Sequence, residues 1–511
     1  MEFSFATEEE RHLALLYQVD QAFFSGVHSH LPTLWDKINA QQRASQPSIT
    51  TRLFETFLWS REQIYLSDTL TTEAELLRWL GPVQMTQESH LLSVALTFEL
   101  NFLHGGNALD PFWEHFRQIV GHPLLPVPVQ VTWLQVGSVV LLTTGQSPYR
   151  ALQLAQMAQS LASRIYSSLP HYLPWTLARQ AQAWWVLGDL VECEKVGREA
   201  LSMFNQLNTG IFLGKPAVMD VLMAIAMAQG DFDRAVAYAK EGQHTSLFQH
   251  RREFLRLQVE VHLLKGELGE AWALLHQIQD ERSQLGMEWP DHALTILEAQ
   301  LLTQEGRTLE SQVMLERLLS HEQVVNDSIL SLKCHQAFAE LYSELRLWDE
   351  ATAEALASLG VATQAENSEE VLRSLLLLIH ISLESLLGQE EAEVGPVGAQ
   401  VTEWLATAHQ LAVRRGARLL LVELELYRYL YGLLIGSVAF DAEDRLAEVL
   451  DVCKQLGWTK GIHLSQELLS LVKLVSLHPL FEADIPLKDL SLGPTEVSHY
   501  LRELKQTLKT F

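Results

Sequence analysis

Cysteine is nearly missing from this chain: Cys193, Cys334 and Cys453 are the only three in 511 residues. Three scattered thiols cannot build a disulfide framework, and so sparse a set fits a reducing compartment. Positive charge is scarce as well. Lys and Arg number 37 against 63 Asp and Glu, for a net charge of −26. Such a surface repels phosphate backbones and argues against direct nucleic-acid binding as the main role, which needs a basic stripe. It fits a basic protein partner, and it also keeps a long helical chain in solution. Long apolar runs are absent: stretches such as LLLLIHI at 375–381 fall far short of a bilayer-spanning helix. No basic segment precedes an apolar core at the start of the sequence, so no secretory leader is expected. The expectation is a soluble, cytoplasmic protein without a membrane partner.

The motifs of common chemistries are absent too. No GxxxxGK[ST] cradles a nucleotide, and no HExxH, CxxC or GxSxG occurs. His28 and His30 in SGVHSHLP stand at i and i+2, with no third metal ligand nearby in the sequence. RRGAR at 414–418 is the densest basic cluster, suited either to an anionic partner or to complementing a helix end. The sequence calls for no catalytic residue, no metal and no cofactor, so a non-enzyme is expected.

What is present is helical spacing almost throughout. Leu13, Leu16, Val19, Ala22 and Phe23 fall on one face, and Thr7 with Glu10 has the form of a capping box. Strand-like alternation between hairpin turns does not occur. One pattern returns: GDFDRAVAYAK at 230–240 has counterparts led by Gly188, Gly266, Gly306 and Arg346. The lead positions lie 42, 36, 40 and 40 residues apart, and five residues after each stands a small residue: Cys193, Ala235, Ala271, Ser311 or Ala351. Glycine ends one helix in the left-handed conformation, the acid beside it caps the next helix, and the small residue lets the two axes approach. Ala158 and Ala200 lie two turns further along the same face. A recurring interval of this size marks stacked helical hairpins, none of which buries its own apolar face alone.

The pattern resembles the tetratricopeptide repeat. Ala181, Trp184, Gly188 and Ala200 fit one repeat, with Cys193 in the place of its key alanine. Gly230, Asp231, Phe232 and Ala235 fit the next, and Ala339, Tyr342 and Ala351 fit another. The intervals exceed the family's usual length, and its proline is mostly missing. In this respect the chain looks more like the superhelical domain of MalT-type bacterial regulators, with WLATAHQLAVRRGARLLLVELELYRYL (404–430) and LAEVLDVCKQLGW (446–458) in the same style. The ATPase motif that such regulators carry does not occur in this sequence, and their DNA-binding module is not expected in the short tail YLRELKQTLKTF. The resemblance implies an all-α, right-handed superhelical solenoid of stacked antiparallel hairpins.

The expected organisation is an N-terminal helical cap over 1–122, repeats over 123–388, and helical hairpins over 400–511. HPLLPVPVQ at 122–130 and GQEEAEVGPVGAQ at 388–400 break the rhythm and are expected as a separator and a mobile acidic loop. HPLFEADIPLKDLSLG at 478–493 is expected to run extended, with a capping helix over 495–510.

In tetratricopeptide folds the first helix of each hairpin lines the concave face. Carried over by repeat register, that places Trp175, Gln182, Trp185, Arg256, Glu260, Gln300, Lys333, Gln336 and Glu340 toward the groove. An aromatic at helical spacing is more often core, so the polar members are the stronger candidates. The implied function is a scaffold whose groove takes a peptide or helix from one or more partner proteins, which the acidic balance suggests to be basic. Two other roles compatible with the resemblance are a sensing superhelix of the MalT type and a scaffold subunit of a large assembly, such as the fifth subunit of the anaphase-promoting complex.

Overall fold

The computed structural model describes residues 7–24, 28–42, 48–66, 113, 116, 120, 125–207, 214–244, 248–284, 291–388, 394–435 and 441–476. Within them the fold is helical, with no strand among the described residues. Three helices come first: α1 (Glu8–Phe24), α2 (Leu31–Gln42) and α3 (Ile49–Leu66). Helix α1 starts on the expected capping box: Glu10 N–H donates to Thr7 Oγ1 at 3.1 Å, and Thr7 N–H donates to Glu10 Oε2 at 3.0 Å.

Hairpins then follow one another. They pair α4 (Val127–Thr143) with α5 (Pro148–Ile165), α6 (Tyr172–Leu187) with α7 (Leu190–Gln206), and α8 (Gly214–Gln229) with α9 (Phe232–Gly242). Next come α10 (Phe248–Lys265) with α11 (Leu268–Gln284), and α12 (His292–Gln304) with α13 (Thr308–Leu319). After the short α14 (Glu322–Asn326), α15 (Ser328–Glu344) pairs with α16 (Trp348–Gln364) and α17 (Ser368–Gly388) with α18 (Val394–Arg415). The series ends with α19 (Arg418–Leu434), α20 (Ala442–Leu456) and α21 (Thr459–Ser476).

The small-residue rule explains how each hairpin closes. Cys193, Ala235, Ala271, Ser311 and Ala351 are all fully buried. Cys193 Sγ donates to the carbonyl of Ala181 at 3.1 Å, and Ser311 Oγ donates to that of Ala299 at 2.9 Å. A larger side chain at these contacts would push the axes apart. The loop before each small residue turns through the left-handed region: φ is 89° at Gly188, 75° at Gly230 and 59° at Arg346, where no glycine relieves the strain. Asp189 and Asp231 then cap the following helices by accepting from the N–H groups of Glu192 at 3.0 Å and Arg234 at 3.1 Å.

Two helix classes result. The second helix of each hairpin is amphipathic and faces outward: α5 buries Ala151, Leu152, Ala155, Ala158 and Ala162 on a single stripe. The first helix is enclosed on most sides, as in α8, where Val218, Met219, Val221, Leu222, Met223 and Ile225 are all buried. These inner helices pack on one another in sequence, α4 on α6, α6 on α8, and onward to α19 on α21.

The inner helices also meet again. Five places further along the inner series, α6 touches α17, α8 touches α19 and α10 touches α21. The preceding pair obeys the same interval, since a Cβ at Gly145, after α4, would lie 3.0 Å from Ser328 at the start of α15. The solenoid therefore completes one superhelical turn in five hairpins, and its second turn packs directly on its first. The contact has an apolar core: Met219, Met223 and Phe254 belong to the same buried cluster as Leu372, Leu426 and Leu468.

Two loop expectations change. Helix α4 begins at Val127 with Pro128 in its first turn, where a missing N–H costs nothing, so prolines end the separator by starting a helix. The acidic stretch is shorter than expected: residues 394–400 already belong to α18, with Pro396 in its first turn. The extended segment at 478–493 and the helix at 495–510 lie outside the described residues, as does most of 67–124.

Candidate functional site

The surface enclosed by the inner helices is polar. Along α10, Arg256 donates from Nε to Glu253 at 3.0 Å and pairs through Nη1 with Glu260 one turn on. Asp220 of α8 lies in the field of all three, together with Arg179 of α6. Arg179 is engaged along its own helix, donating to Gln182 Oε1 at 2.7 Å. Burial raises the pKa of Asp220, and the negative charges of Glu253 and Glu260 add to that rise against Arg256 and Arg179. The outcome is a carboxyl group pushed up to about 7, chiefly by its burial.

The polar lining continues around the turn. Gln300 of α12 donates to Glu340 of α15 at 3.0 Å. On α15, Lys333 lies 2.8 Å from Glu370 of α17, and Gln336 donates to the other oxygen of Glu370 at 3.0 Å. Burial would raise Glu370, but Lys333 and Arg373 outweigh it and hold the carboxyl down to about 2. Burial raises Glu340 against the opposing pull of its Gln300 bond and of Lys460 on α21. Arg373 feels Glu260 from the far side of the interior. One electrostatic system thus runs through α6, α8, α10, α15, α17 and α21. Its members are in part open to solvent, with the Arg256 side chain 20% exposed and that of Glu260 25%. Arg256 and Glu260 are thus partly open to solvent, whereas Gln336 and Glu370 are buried.

Seven of the nine residues named from sequence take part in these contacts: Gln182, Arg256, Glu260, Gln300, Lys333, Gln336 and Glu340. The two tryptophans do not. Trp175 is a core residue, buried against Phe24 of α1 with ring centroids 5.2 Å apart, because the N-terminal helices cover the start of α6. Trp185 belongs to the seam between turns, where the Arg415 guanidinium stands 5.0 Å from its ring centroid. Asp220, Glu253, Glu370 and Arg373 were not singled out in the sequence. Each lies on an inner helix at a position facing the same way as its neighbours, but pairing across several helices leaves no local signal.

The seam itself is charged and buried. Arg415, part of the basic cluster at 414–418, is 2% exposed; its Nη2 lies 2.8 Å from Glu369, and its Nη1 donates to the carbonyl of Trp185 at 3.2 Å. Ser368 Oγ donates to the carbonyl of Val186 at 2.9 Å. Arg415 thus serves the protein's own second turn, while Arg414 and Arg418 are exposed.

Other candidate chemistry is not assembled. No group of three or more His, Cys, Asp or Glu residues suited to a metal ion occurs among the described residues. All three cysteines are free and buried, and burial pushes the Cys334 thiol up to about 12, which keeps it protonated and unreactive. No described helix is long and apolar enough to cross a membrane.

No family model matches this chain, and no curated protein matches it in sequence. Among solved structures it is similar to a Rap protein complexed with Competence and Sporulation Factor, at 13% identity and a TM-score of 0.45, over 69% of this chain and 99% of that one.

Proposed function

We propose that this protein is a non-enzymatic scaffold whose inner surface takes a basic segment of a partner protein. The supporting observation is the carboxylate group on α8 and α10, where Asp220 is buried beside Glu253 and Glu260 and their negative charges add to the rise that burial causes. A lysine or arginine side chain placed there would favour the ionised form of Asp220, and charge-assisted hydrogen bonds would hold it. The polar, partly exposed lining suits a peptide or helix with polar side chains better than an apolar ligand.

The test is binding of a basic partner peptide, found by co-purification, to paired variants. Glu253→Gln with Glu260→Gln should weaken it at least tenfold, while Glu199→Gln on the outer face of α7 should leave it unchanged. Equal affinity in all three proteins would remove the inner surface from the account. A second reading, a ligand-sensing superhelix of the MalT type, is favoured by the seam, since a solenoid closed on its second turn encloses whatever its interior holds. A thermal shift produced by a small metabolite in the absence of any protein partner would support that reading instead.

A further inference from the structure

A second site lies away from the solenoid interior. Helix α1, the turn before α2, α2 itself, the turn before α6 and the end of α7 line an open cavity of about 620 Å³, within the size range of small-molecule sites. Its wall is apolar in the middle, formed by Ala22, Phe24 and Leu34, and basic at the mouth, where His30 and Lys37 are exposed. None of the described lining residues is acidic. On a chain with net charge −26, a described lining that carries Lys37 and no acidic residue is a local reversal of sign.

The floor of this cavity is built and rigid. His171 lines it, is 3% exposed, and stacks on Phe24 with centroids 4.0 Å apart. Its Nε2 lies 3.0 Å from Asp20, which is fully buried, paired with Arg61, and accepts from Tyr172 at 3.2 Å. Because Arg61 already neutralises Asp20, the imidazole needs no charge of its own. The floor is an oriented neutral ring, and the exposed Lys37 stands at the mouth. Burying an arginine, an aspartate and a histidine together adds little stability over an apolar packing of the same volume, so the network is better accounted for by what it positions.

We infer that this cavity binds a small amphipathic carboxylate, its apolar body against Ala22, Phe24 and Leu34 and its charged head at Lys37 and His30. The volume admits a small molecule, and Lys37 favours an anion. The site is independent of the scaffold reading.

Octanoate, octan-1-ol and octylamine are suitable probes, added to the full-length protein in calorimetric titrations. Octanoate is expected to bind, and octylamine to bind at least tenfold more weakly. Lys37→Glu should weaken octanoate about tenfold and leave octan-1-ol unchanged. Ala22→Trp should abolish binding of both by filling the cavity. Thr33→Trp, at an exposed lining position, repeats that test without disturbing buried packing. The inference is overturned if octanoate fails to bind, if octylamine binds as well as octanoate, or if Thr33→Trp protein with native circular dichroism binds octanoate like the parent.

Discussion

Asp220 carries the clearest residue-scale consequence. Its carboxyl titrates near 7 in the folded protein, against about 4 in an unfolded chain. The folded state therefore holds the proton more tightly, so stability is greatest below pH 4 as far as this group is concerned. It is lost progressively as pH rises toward 7. Asp220→Asn should match the parent in urea denaturation at pH 4 and exceed it at pH 8. A parent no less stable than the variant at pH 8 would contradict the assignment. Binding of a basic segment should have the opposite sense, strengthening up to pH 7 as Asp220 ionises.

The residues legible in the sequence were those whose role is local. Cys193, Ala235 and Ala271 could be placed at close helix contacts because one loop and one helix decide their position. The polar lining was partly legible, since Arg256 with Glu260 and Lys333 with Gln336 share a face of one inner helix. Asp220 and Arg373 were not legible, because their partners come from other hairpins. Trp175 was misassigned because nothing in its own repeat announces that Phe24, about 150 residues earlier, covers it.

At the scale of elements, the interhelix loops do two jobs that substitutions can separate. Gly306 has φ 77° and open space where a Cβ would go, so Gly306→Ala should cost about 1–2 kcal/mol, the strain of the left-handed backbone alone. Gly188 has φ 89°, and a Cβ there would lie 2.5 Å from Ser368 Oγ and 3.0 Å from Arg415 Nη1. Gly188→Ala should therefore cost about 1–3 kcal/mol more, because the second turn must shift as well. Arg346→Gly should stabilise by relieving its positive φ. Chemical denaturation of the three variants checks all of this, and equal costs at 188 and 306 would mean that the loops do not meet a second turn. The hairpins and their αL loops were readable from the glycine-to-small-residue interval. The helical start of α18 was not, because the glycines and Pro396 around it read as a loop although proline is tolerated in a first turn.

For the whole molecule, the stacking of turn on turn was invisible in the sequence. A repeat interval fixes how neighbours pack and says little about the pitch that accumulates over five of them. The buried seam depends on Arg415, whose removal leaves Glu369 without its partner in a dry site. Arg415→Met should cost about 3–5 kcal/mol, well above an exposed arginine such as Arg414. A loss under 1 kcal/mol in thermal or urea unfolding would mean that the seam is not closed in solution.

Closure is tested most directly by a covalent bond between the turns. A Cβ at position 266 would lie 3.9 Å from the Cβ of Thr459, within the range a disulfide spans, although 193 residues separate them. The double variant Gly266→Cys/Thr459→Cys should oxidise within the monomer and migrate faster on a non-reducing denaturing gel, while each single variant does not. If the double variant stays reduced, or cross-links only between molecules, the second turn does not rest on the first and the enclosed interior does not exist.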